Sequence, residues 1–307
     1  MIALTQSFTE HLLARNYSPA TVQDYGYTLK DFIGFLLTRE VSDVRGITPA
    51  LIGDYQVYRL HKLNVYGQPC GVGSRNNTLK AVKCFCAFLQ RQGHIGDNPA
   101  RDIDYAKKPH RLPRNILTPA EMRRLLRTPD SQSALGIRDR CIMELLYSSG
   151  LRNKELRNLK LTDLNLEEGV LQVIDGKGHK DRYVPVGKVA CRHLAHYIAH
   201  VRPMLANKRE GDHVFLSIRG KPLGKLAVIA SVERYLPLAG IKKTITPHSF
   251  RHTCATHLLQ NKANLRHIQE ILGHASVLST QIYTSVTIQE LKDAHNACHP
   301  RNLEVCL

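Results

Sequence analysis

The chain has 307 residues, 43% of them apolar and 22% charged, which is the composition of a globular protein with room for two domains. Its 43 Lys and Arg against 26 Asp and Glu give a formal net charge of +17. That excess favours a polyanionic partner, nucleic acid before an acidic membrane surface. No apolar run reaches the length of a membrane span, no signal-peptide pattern opens the chain, and the eight cysteines form no CxxC pair. We therefore expect a cytoplasmic, nucleoid-associated protein with no membrane partner.

Residues 1–100 predict a bundle of about four helices. A short helix is expected near Phe8–Ala14, and two further helices open with Ser18-Pro19 and Thr48-Pro49, the N-cap and first-position pairing that helices prefer. A fourth helix is expected over "SRNNTLKAVKCFCAFLQRQG", which ends at a glycine. Apolar residues recur at helical spacing in these segments, so their helices can share one core.

Residues 101–117 predict a basic, proline-rich linker between two domains. Within "RDIDYAKKPHRLPRNIL" the basic side chains can lie along a phosphate backbone, although a solvated linker explains them equally well. The residues concerned are Lys107, Lys108, Arg111 and Arg114.

Residues 118–307 predict a second domain that mixes helix and sheet. The segment "SALGIRDRCIMELLYSSG" predicts an amphipathic helix that ends at Gly150. The segment "LTDLNLEEGVLQVIDGKGHKDRYVPVG" alternates and turns like a small antiparallel sheet with a tight connection at "DGKGHKD". The chain is mostly helical from there on. The predicted fold class is therefore mostly α with a small antiparallel β-sheet, an α+β arrangement.

The segment "TPHSFRHTCATH" predicts a helix whose N-terminus faces an anion. His248 falls in the first turn, where free N–H groups and the helix dipole favour negative charge, and Arg251 shares its face. His252 lies four residues after His248, which would suit a metal. A zinc-protease helix needs Glu at the position of Ser249, however, and Arg251 would repel a cation. We therefore predict no metal.

Residues elsewhere in this domain complete a site for a phosphodiester. Arg152 follows a helix-ending glycine, Glu155 stands three residues later, and His274 follows a second Leu-Gly helix end. Two arginines can neutralise the non-bridging oxygens, two histidines can donate hydrogen bonds to them, and a lysine can protonate a leaving group. Tyr283 can supply the nucleophile, because a cationic setting makes a phenol with pKa near 10 reactive at neutral pH.

The sequence resembles the tyrosine site-specific recombinases over nearly its whole length. "RNYSPATVQDY" is similar to the start of their helical core-binding domain, and "LTPAEMRRLL" to the entry of their catalytic domain. "RDRCIMELLYSSGLRNKEL" resembles their first arginine motif, "GKGHKDRYVPV" their lysine hairpin and "PHSFRHTCATHLL" their His-x-x-Arg helix. "LRHIQEILGHASVLSTQIYTSV" resembles their second histidine and nucleophile segment, and "LKDAHNACHPR" the tail of the Xer-type subgroup.

The resemblance implies a SAM-like DNA-binding domain over 1–100 and a catalytic tyrosine-recombinase domain with a C-terminal tail over 118–307. Lys177 and Lys180 are both candidates for the lysine that protonates the leaving group. Lys177 is preferred because it lies between two glycines, which allow the loop to approach DNA closely. Glu155 matches the acidic residue that supports the first arginine, and His252 packs beside the site. The implied catalytic residues are Arg152, Lys177, His248, Arg251, His274 and Tyr283.

The resemblance further implies recombination of double-stranded DNA at a specific site, through a 3′-phosphotyrosyl intermediate and a Holliday junction. It implies that neither metal nor ATP is needed. It also implies an assembly of four protomers on two DNA sites, which can include a heterologous partner recombinase. Integration by a mobile element, excision and dimer resolution are left open. The tail over 287–307 is expected to dock on a neighbouring subunit, through the stripe formed by Ile288, Leu291, Ala294 and His295.

Two other functions remain as alternatives to recombination. A type IB topoisomerase uses similar chemistry, but the short helical domain and the Xer-like tail argue against it. A non-catalytic DNA-binding protein is disfavoured by the intact set of six catalytic residues.

Overall fold

The computed structural model of the protein describes residues 1–64, 67–107, 109, 115–174, 181–206, 211–273 and 288–303. The chain divides into two compact units, Met1–Arg111 and Leu112–Leu307, and each has its own hydrophobic core. The described residues are mostly helical with a small antiparallel sheet, so the predicted fold class is confirmed. Within this described part, no helix is long and apolar enough to cross a membrane.

The first unit is a helical bundle, as predicted. Ser18 and Thr48 cap two of its helices through their side chains, and each is followed by proline at the first helical position. The first helix begins six residues before the predicted Phe8, because Met1 and Leu4 also pack against the core. The helices in the described part of this unit are α1 (Ile2–Ala14), α2 (Pro19–Leu37), α3 (Pro49–His61) and α4 (Val72–Arg91).

Aromatic side chains fill the centre of this bundle. The rings of Phe8 and Phe85 meet edge to face with centroids 5.4 Å apart, and those of Phe32 and Tyr55 lie 4.8 Å apart. The Tyr55 hydroxyl donates a hydrogen bond of 2.9 Å to Asp31. The buried rings supply large apolar area, while this hydrogen bond satisfies the one polar atom that Tyr55 brings into the core.

The N-terminal part of the predicted linker lies along α4. Asn76 donates to the Ala106 carbonyl at 2.8 Å and accepts from the Ala106 N–H at 3.0 Å. The Lys83 ammonium donates to the Ile103 carbonyl at 2.7 Å. Residues 101–106 are therefore tied to the first unit. Lys107 is exposed, and Lys108, Arg111 and Arg114 lie outside the described residues.

The second unit surrounds one central helix, α6, which is buried on nearly all sides. Between α8 and α9 the helix widens into a π-helical turn, Tyr197–Val201, just before Pro203 removes a backbone donor. Its helices in the described residues are α5 (Pro119–Arg127), α6 (Ala134–Ser149), α7 (Asn153–Asn158), α8 (Lys188–His196), α9 (Arg202–Leu205), α10 (Lys225–Tyr235), α11 (Pro247–Gln260), α12 (Leu265–Leu272), α13 (Ile288–Cys298) and α14 (Pro300–Leu303).

The predicted antiparallel sheet is present, with strands β1 (Leu164–Asn165), β2 (Val170–Val173) and β3 (Arg182–Pro185) in the order β1-β2-β3. Leu171 pairs with Val184, and both are buried against the helices, whereas Tyr183 points to solvent. This alternation fixes the register, because a shift by one residue would expose the apolar side chains. The β2–β3 connection over 175–180, with Lys177 and Lys180, lies outside the described residues.

The C-terminal helices α13 and α14 pack on their own unit. His295 donates to the Ser148 carbonyl at 2.6 Å and His299 to the Tyr147 carbonyl at 3.0 Å. Because α6 ends at these carbonyls, the two imidazoles satisfy acceptors that have no partner within the helix.

In the single chain this amphipathic stripe packs on its own unit, and its docking on a neighbouring subunit stays a prediction. Leu291 and His295 are buried within the same chain, and Ala294 is half-buried; the Ile288 side chain lies outside the described part. The helical spacing of the stripe correctly indicates a buried face, but spacing cannot indicate which chain supplies the surface that covers it.

Candidate active site

Three helix ends meet at the predicted site: the C-termini of α6 and α12 and the N-terminus of α11. Gly150 and Gly273 end α6 and α12 in left-handed conformations, with φ of 60° and 61°. A Cβ on Gly150 would lie only 2.6 Å from a methyl group of Leu272. Glycine is therefore required there for both its φ and its close packing.

Arg251 joins the two helix C-termini from inside the protein. Its side chain is buried, and its guanidinium donates to the Gly150 carbonyl at 2.7 Å and to the Leu272 carbonyl. Burial, and then the positive charge of Arg152, lowers the pKa of Arg251 to about 10. The group therefore stays charged at neutral pH and offsets the negative dipole ends of both helices.

Arg152 stands immediately before α7 and contacts α12 as well. Its guanidinium donates to the Gly273 carbonyl at 2.9 Å and to Glu155 at 2.6 Å. Glu155 also accepts the Arg152 backbone N–H at 2.8 Å, which caps the first turn of α7. Glu155 thus lies where the sequence predicts a supporting carboxylate, in direct contact with the first arginine.

The structure adds Arg182, which the sequence analysis did not single out. From β3, its guanidinium donates to both carboxylate oxygens of Glu155 at 3.0 and 2.9 Å and to the Ile271 carbonyl at 3.3 Å. It also fills the space beside Gly273, where a Cβ would meet it at 2.9 Å. The only hint in the sequence is an arginine opening a strand that is otherwise apolar or aromatic, and strand patterns do not identify its partner.

The carboxylate of Glu155 is fixed in its charged form. Burial raises its pKa, but the hydrogen bonds and charge of Arg182, followed by the bonds from Arg152, lower it to about 2. Its side chain is only 5% exposed, so solvent screens these contacts little. Arg152 and Arg182 bind this carboxylate directly, and Arg251 lies within range of its charge, so the local net charge is 3 − 1 = +2.

His248 lies in the first turn of α11, as predicted, after a Thr246 cap and Pro247. It is exposed, and burial of part of its ring lowers its pKa, with smaller contributions from His252, Arg251 and Arg152. His248 precedes Arg251 by three residues on α11, and Arg251 and Arg152 bind the successive carbonyls of Leu272 and Gly273, so the three residues share one site. The rings of His248 and His252 meet edge to face at 4.4 Å, so His252 packs beside His248.

His248 and His252 form no larger cluster of metal-binding side chains within the described residues. No group of three or more His, Cys, Asp or Glu is found there. The charged groups near His248 that the structure describes are Arg251 and Arg152, which would repel a cation. This donor set suits an anion.

Three predicted catalytic residues, Lys177, His274 and Tyr283, lie outside the described residues. His274 follows Gly273 directly in the sequence, and the Gly273 carbonyl accepts from Arg152. The described part of the site therefore brings together Arg152, Arg251 and His248, with Glu155 and Arg182 behind Arg152. Two guanidiniums beside an exposed imidazole and a helix N-terminus can bind a phosphate group and stabilise added negative charge on it.

Two family models match this chain. The model of the phage integrase family matches residues 115–290. The model of the N-terminal SAM-like domain of phage integrases matches residues 5–93. The first match includes every residue of the predicted site.

Relatives of known name match over almost the full length. Tyrosine recombinase XerC 2 of Ralstonia nicotianae is 37% identical over 295 residues, covering 96% of this chain and 85% of the relative. Tyrosine recombinase XerD of Halalkalibacterium halodurans is 36% identical over 288 residues, covering 94% of each chain.

Solved structures share the fold at lower identity. XerH recombinase bound to a palindromic difH substrate, in a post-cleavage complex, superposes with a TM-score of 0.67 at 22% identity, covering 92% of this chain and 81% of that one. A lambda integrase dimer bound to a COC′ core site gives a TM-score of 0.66 at 19% identity, covering 92% and 98%. With the family models and the relatives, these matches lead to one conclusion: the chain belongs to the phage integrase family and is a tyrosine recombinase.

Proposed function

We propose that Tyr283 of this recombinase attacks a scissile DNA phosphate, forming a 3′-phosphotyrosyl bond and releasing a 5′-hydroxyl. The 5′-hydroxyl of a partner strand then attacks the phosphotyrosine, restoring a phosphodiester and freeing the tyrosine. The observation that carries this proposal is the grouping of Arg152, Arg251 and His248 at three helix ends. Such a grouping favours an anion that gains charge during the reaction.

The proposed roles follow from the chemistry of each side chain. Arg152 and His248 bind the non-bridging oxygens, and Arg251 supplies charge from behind them while fixing the two helix ends. His274 adds a further donor, and Lys177 protonates the leaving 5′-oxygen. Each phosphodiester exchange conserves one bond, so the reaction needs no ATP. Its charge stabilisation comes from the arginines, so we propose that no metal takes part.

We propose that both units bind the DNA duplex, with residues 1–100 as the core-binding domain, 101–117 as the linker and 118–307 as the catalytic domain. The formal charge of +17 supports contact with phosphates. Lys107, exposed at the end of the first unit, is one proposed backbone contact, together with Lys108, Arg111 and Arg114. Strand exchange through a Holliday junction requires four protomers on two DNA sites. These are either four copies of this chain or copies of this chain together with a partner recombinase.

The cellular role proposed is either integration and excision of a mobile element or resolution of chromosome or plasmid dimers, in the cytoplasm at the nucleoid. The named relatives are Xer-type recombinases, which supports site-specific exchange between two duplexes. Relaxation of plasmids without a recombination site is the behaviour that a type IB topoisomerase would show instead.

The experiment begins with selection of the bound sequence from a random duplex library, using the Tyr283→Phe variant. A nicked suicide substrate carrying that sequence is then incubated with wild type, Tyr283→Phe and the matched control Tyr183→Phe, whose ring is exposed on β3. Wild type and Tyr183→Phe should become attached to the 3′ side of the break. Tyr283→Phe should bind equally well without forming an adduct, since only the nucleophilic oxygen is lost. An adduct in Tyr283→Phe would refute the assignment.

The same proteins are tested in EDTA and on supercoiled plasmid lacking the selected sequence. Cleavage should persist in EDTA, and complete loss of cleavage there would contradict the metal-free mechanism. Plasmid relaxation at low protein excess would identify a topoisomerase and overturn the recombinase mechanism.

A further inference from the structure

A second cationic site lies in the catalytic unit, in a cleft between α5, α6, α8 and α14. The cleft has a volume of about 860 Å³. Two histidines of α8, His193 and His196, line it. The other basic side chains on its walls are Arg123, Arg127, Arg140, Arg192 and Arg301.

The cleft carries far more positive than negative charge. Glu144 is buried next to two of the lining residues: Arg301 donates to its two oxygens at 3.1 and 2.5 Å, and His193 approaches to 3.7 Å. Among the described residues of the cleft, five guanidinium groups therefore face one carboxylate, a net charge of 5 − 1 = +4. Both carboxylate oxygens of Glu144 already accept hydrogen bonds from Arg301.

The basic groups of the cleft repel one another. Burial, followed by the charges of Arg140, Arg301, Arg192 and His196, lowers the pKa of His193 to about 4. The Nε of Arg140 is buried and has no hydrogen-bond partner among the residues that the structure describes. Like charges gathered at this density cost free energy unless an anion neutralises them.

This cleft is separate from the candidate active site. Arg140 lies nine residues before Ser149, the last residue of α6, which corresponds to about 14 Å along the helix axis. Arg152 and Arg251 gather beyond that end of α6, whereas the cleft opens beside its middle. None of its basic side chains takes part in the chemistry proposed for Tyr283.

The types of side chain indicate the ligand. The long cations of the cleft are all arginines, whose planar fork of donors matches the oxygens of phosphate in pairs. They come from four separate helices, so they surround a volume and do not form a line along one exposed face. A ligand with several linked anionic groups can contact all of these arginines at once. The DNA backbone, on which this protein acts, is a series of linked phosphates of this kind.

We propose that this cleft binds phosphate groups, supplied by the DNA backbone outside the cleavage site or by a free polyphosphate compound. Binding neutralises the arginines and orders Arg140 and Arg192 around the ligand. An acidic peptide is the competing occupant, and the test below separates it.

The test follows the protonation of His193 by NMR in full-length protein labelled with 15N-histidine, with the His193→Asn variant used for assignment. At pH 6 the free protein should show neutral His193. Adding pyrophosphate should shift the resonance towards imidazolium, because the anion offsets the arginine charges, which after burial are the second cause of the low pKa of His193. His257, buried away from the cleft, serves as an internal control and should not change.

Three probes distinguish the source of the anion. A shift with both pyrophosphate and a short duplex lacking the recombination sequence assigns the cleft to the DNA backbone. A shift with pyrophosphate alone assigns it to a free polyphosphate compound. No shift with either, or a shift with polyglutamate alone, overturns the proposal.

Variants provide an independent measurement. Arg127 and Arg192 are exposed on the two walls, so the double variant Arg127→Gln, Arg192→Gln should fold normally and lose the His193 shift. The matched control Arg219→Gln, Lys221→Gln removes the same charge elsewhere in the unit and should retain it. If DNA is the ligand, the cleft variant should also flatten the dependence of log K on log[salt] by roughly 1.8, at about 0.9 per lost contact. Both variants should form the Tyr283 adduct at the wild-type rate at saturating DNA, so failure of this proposal is distinguishable from failure of the cleavage mechanism.

Discussion

Replacing Arg182 with glutamine tests whether the contacts behind Arg152 matter for cleavage. Arg182 donates to both oxygens of Glu155, and Glu155 in turn accepts from Arg152. The pKa of Glu155 falls from 4.5 to about 2 in the folded protein, which corresponds to about 3 kcal/mol in favour of the charged form. Losing one partner of a buried ion pair typically costs 3–5 kcal/mol, so we expect Arg182→Gln to lower the free energy of unfolding by about 3 kcal/mol.

The rate of cleavage should fall as well, although the side chain of Arg182 contacts Glu155 and is only 14% exposed. Without Arg182, Glu155 has a single guanidinium partner and draws Arg152 away from the substrate phosphate. We expect the single-turnover rate on a suicide substrate to fall by roughly 10- to 100-fold, in the range of a weakened transition-state contact. DNA affinity, measured by fluorescence anisotropy, should change less than about two-fold.

A second variant separates positioning from folding. The double variant with Arg182→Gln and Glu155→Gln leaves no unpaired carboxylate buried. Its stability should therefore recover in large part, while cleavage stays slow. Arg182→Lys should lie between wild type and Arg182→Gln, because an ammonium cannot bridge both oxygens and also reach Ile271. A double variant that is stable and cleaves at the wild-type rate would refute the idea that this ion pair positions Arg152.

Three further predictions concern stability and are read out by urea unfolding. Gly150→Ala should cost about 2 kcal/mol or more, because φ is 60° and the new methyl group would overlap Leu272. Gly224→Ala, with no described atom within 4 Å and an ordinary φ of −72°, should cost less than about 1 kcal/mol, through the poorer N-cap that alanine gives α10. His295 is buried, and its pKa is lowered to about 4 in the folded protein, against 6.5 in the unfolded chain. Its contribution to the free energy of unfolding is therefore complete above pH 6.5 and falls by about 3 kcal/mol as pH decreases from 6.5 to 4. His295→Gln should flatten that pH dependence, and an unchanged slope would contradict the assignment. Truncation after Val286 should lower the free energy of unfolding of the catalytic unit, because buried carbonyls at the end of α6 lose their donors. Wild-type stability in the truncated chain would show that the tail contacts are dispensable.

Much of the fold follows from local patterns in the sequence. Ser18-Pro19, Thr48-Pro49 and Thr246-Pro247 each begin a helix, and Gly150 ends one, as predicted. The alternation around Leu171 and Val184 also indicates the sheet correctly. These features are determined by contacts within a few residues, so a single sequence is enough to read them.

The order of the motifs and their spacing likewise identify the family and the candidate residues Arg152, His248 and Arg251. Their types suit a phosphodiester, and each lies at a helix end that the sequence predicts. The roles of Lys177, His274 and Tyr283 rest on the resemblance and stay predictions.

Contacts between distant segments required the tertiary structure. Arg182 reaches Glu155 across 27 positions, and His295 reaches the Ser148 carbonyl across 147. No periodicity connects such pairs, since each depends on how helices and strands pack around one core. The same holds for the tail: the sequence shows that one face of α13 is apolar, but only the packing shows that the end of its own α6 covers it. It also holds for the arginine cleft, because charges from four helices become one site only when those helices are brought together.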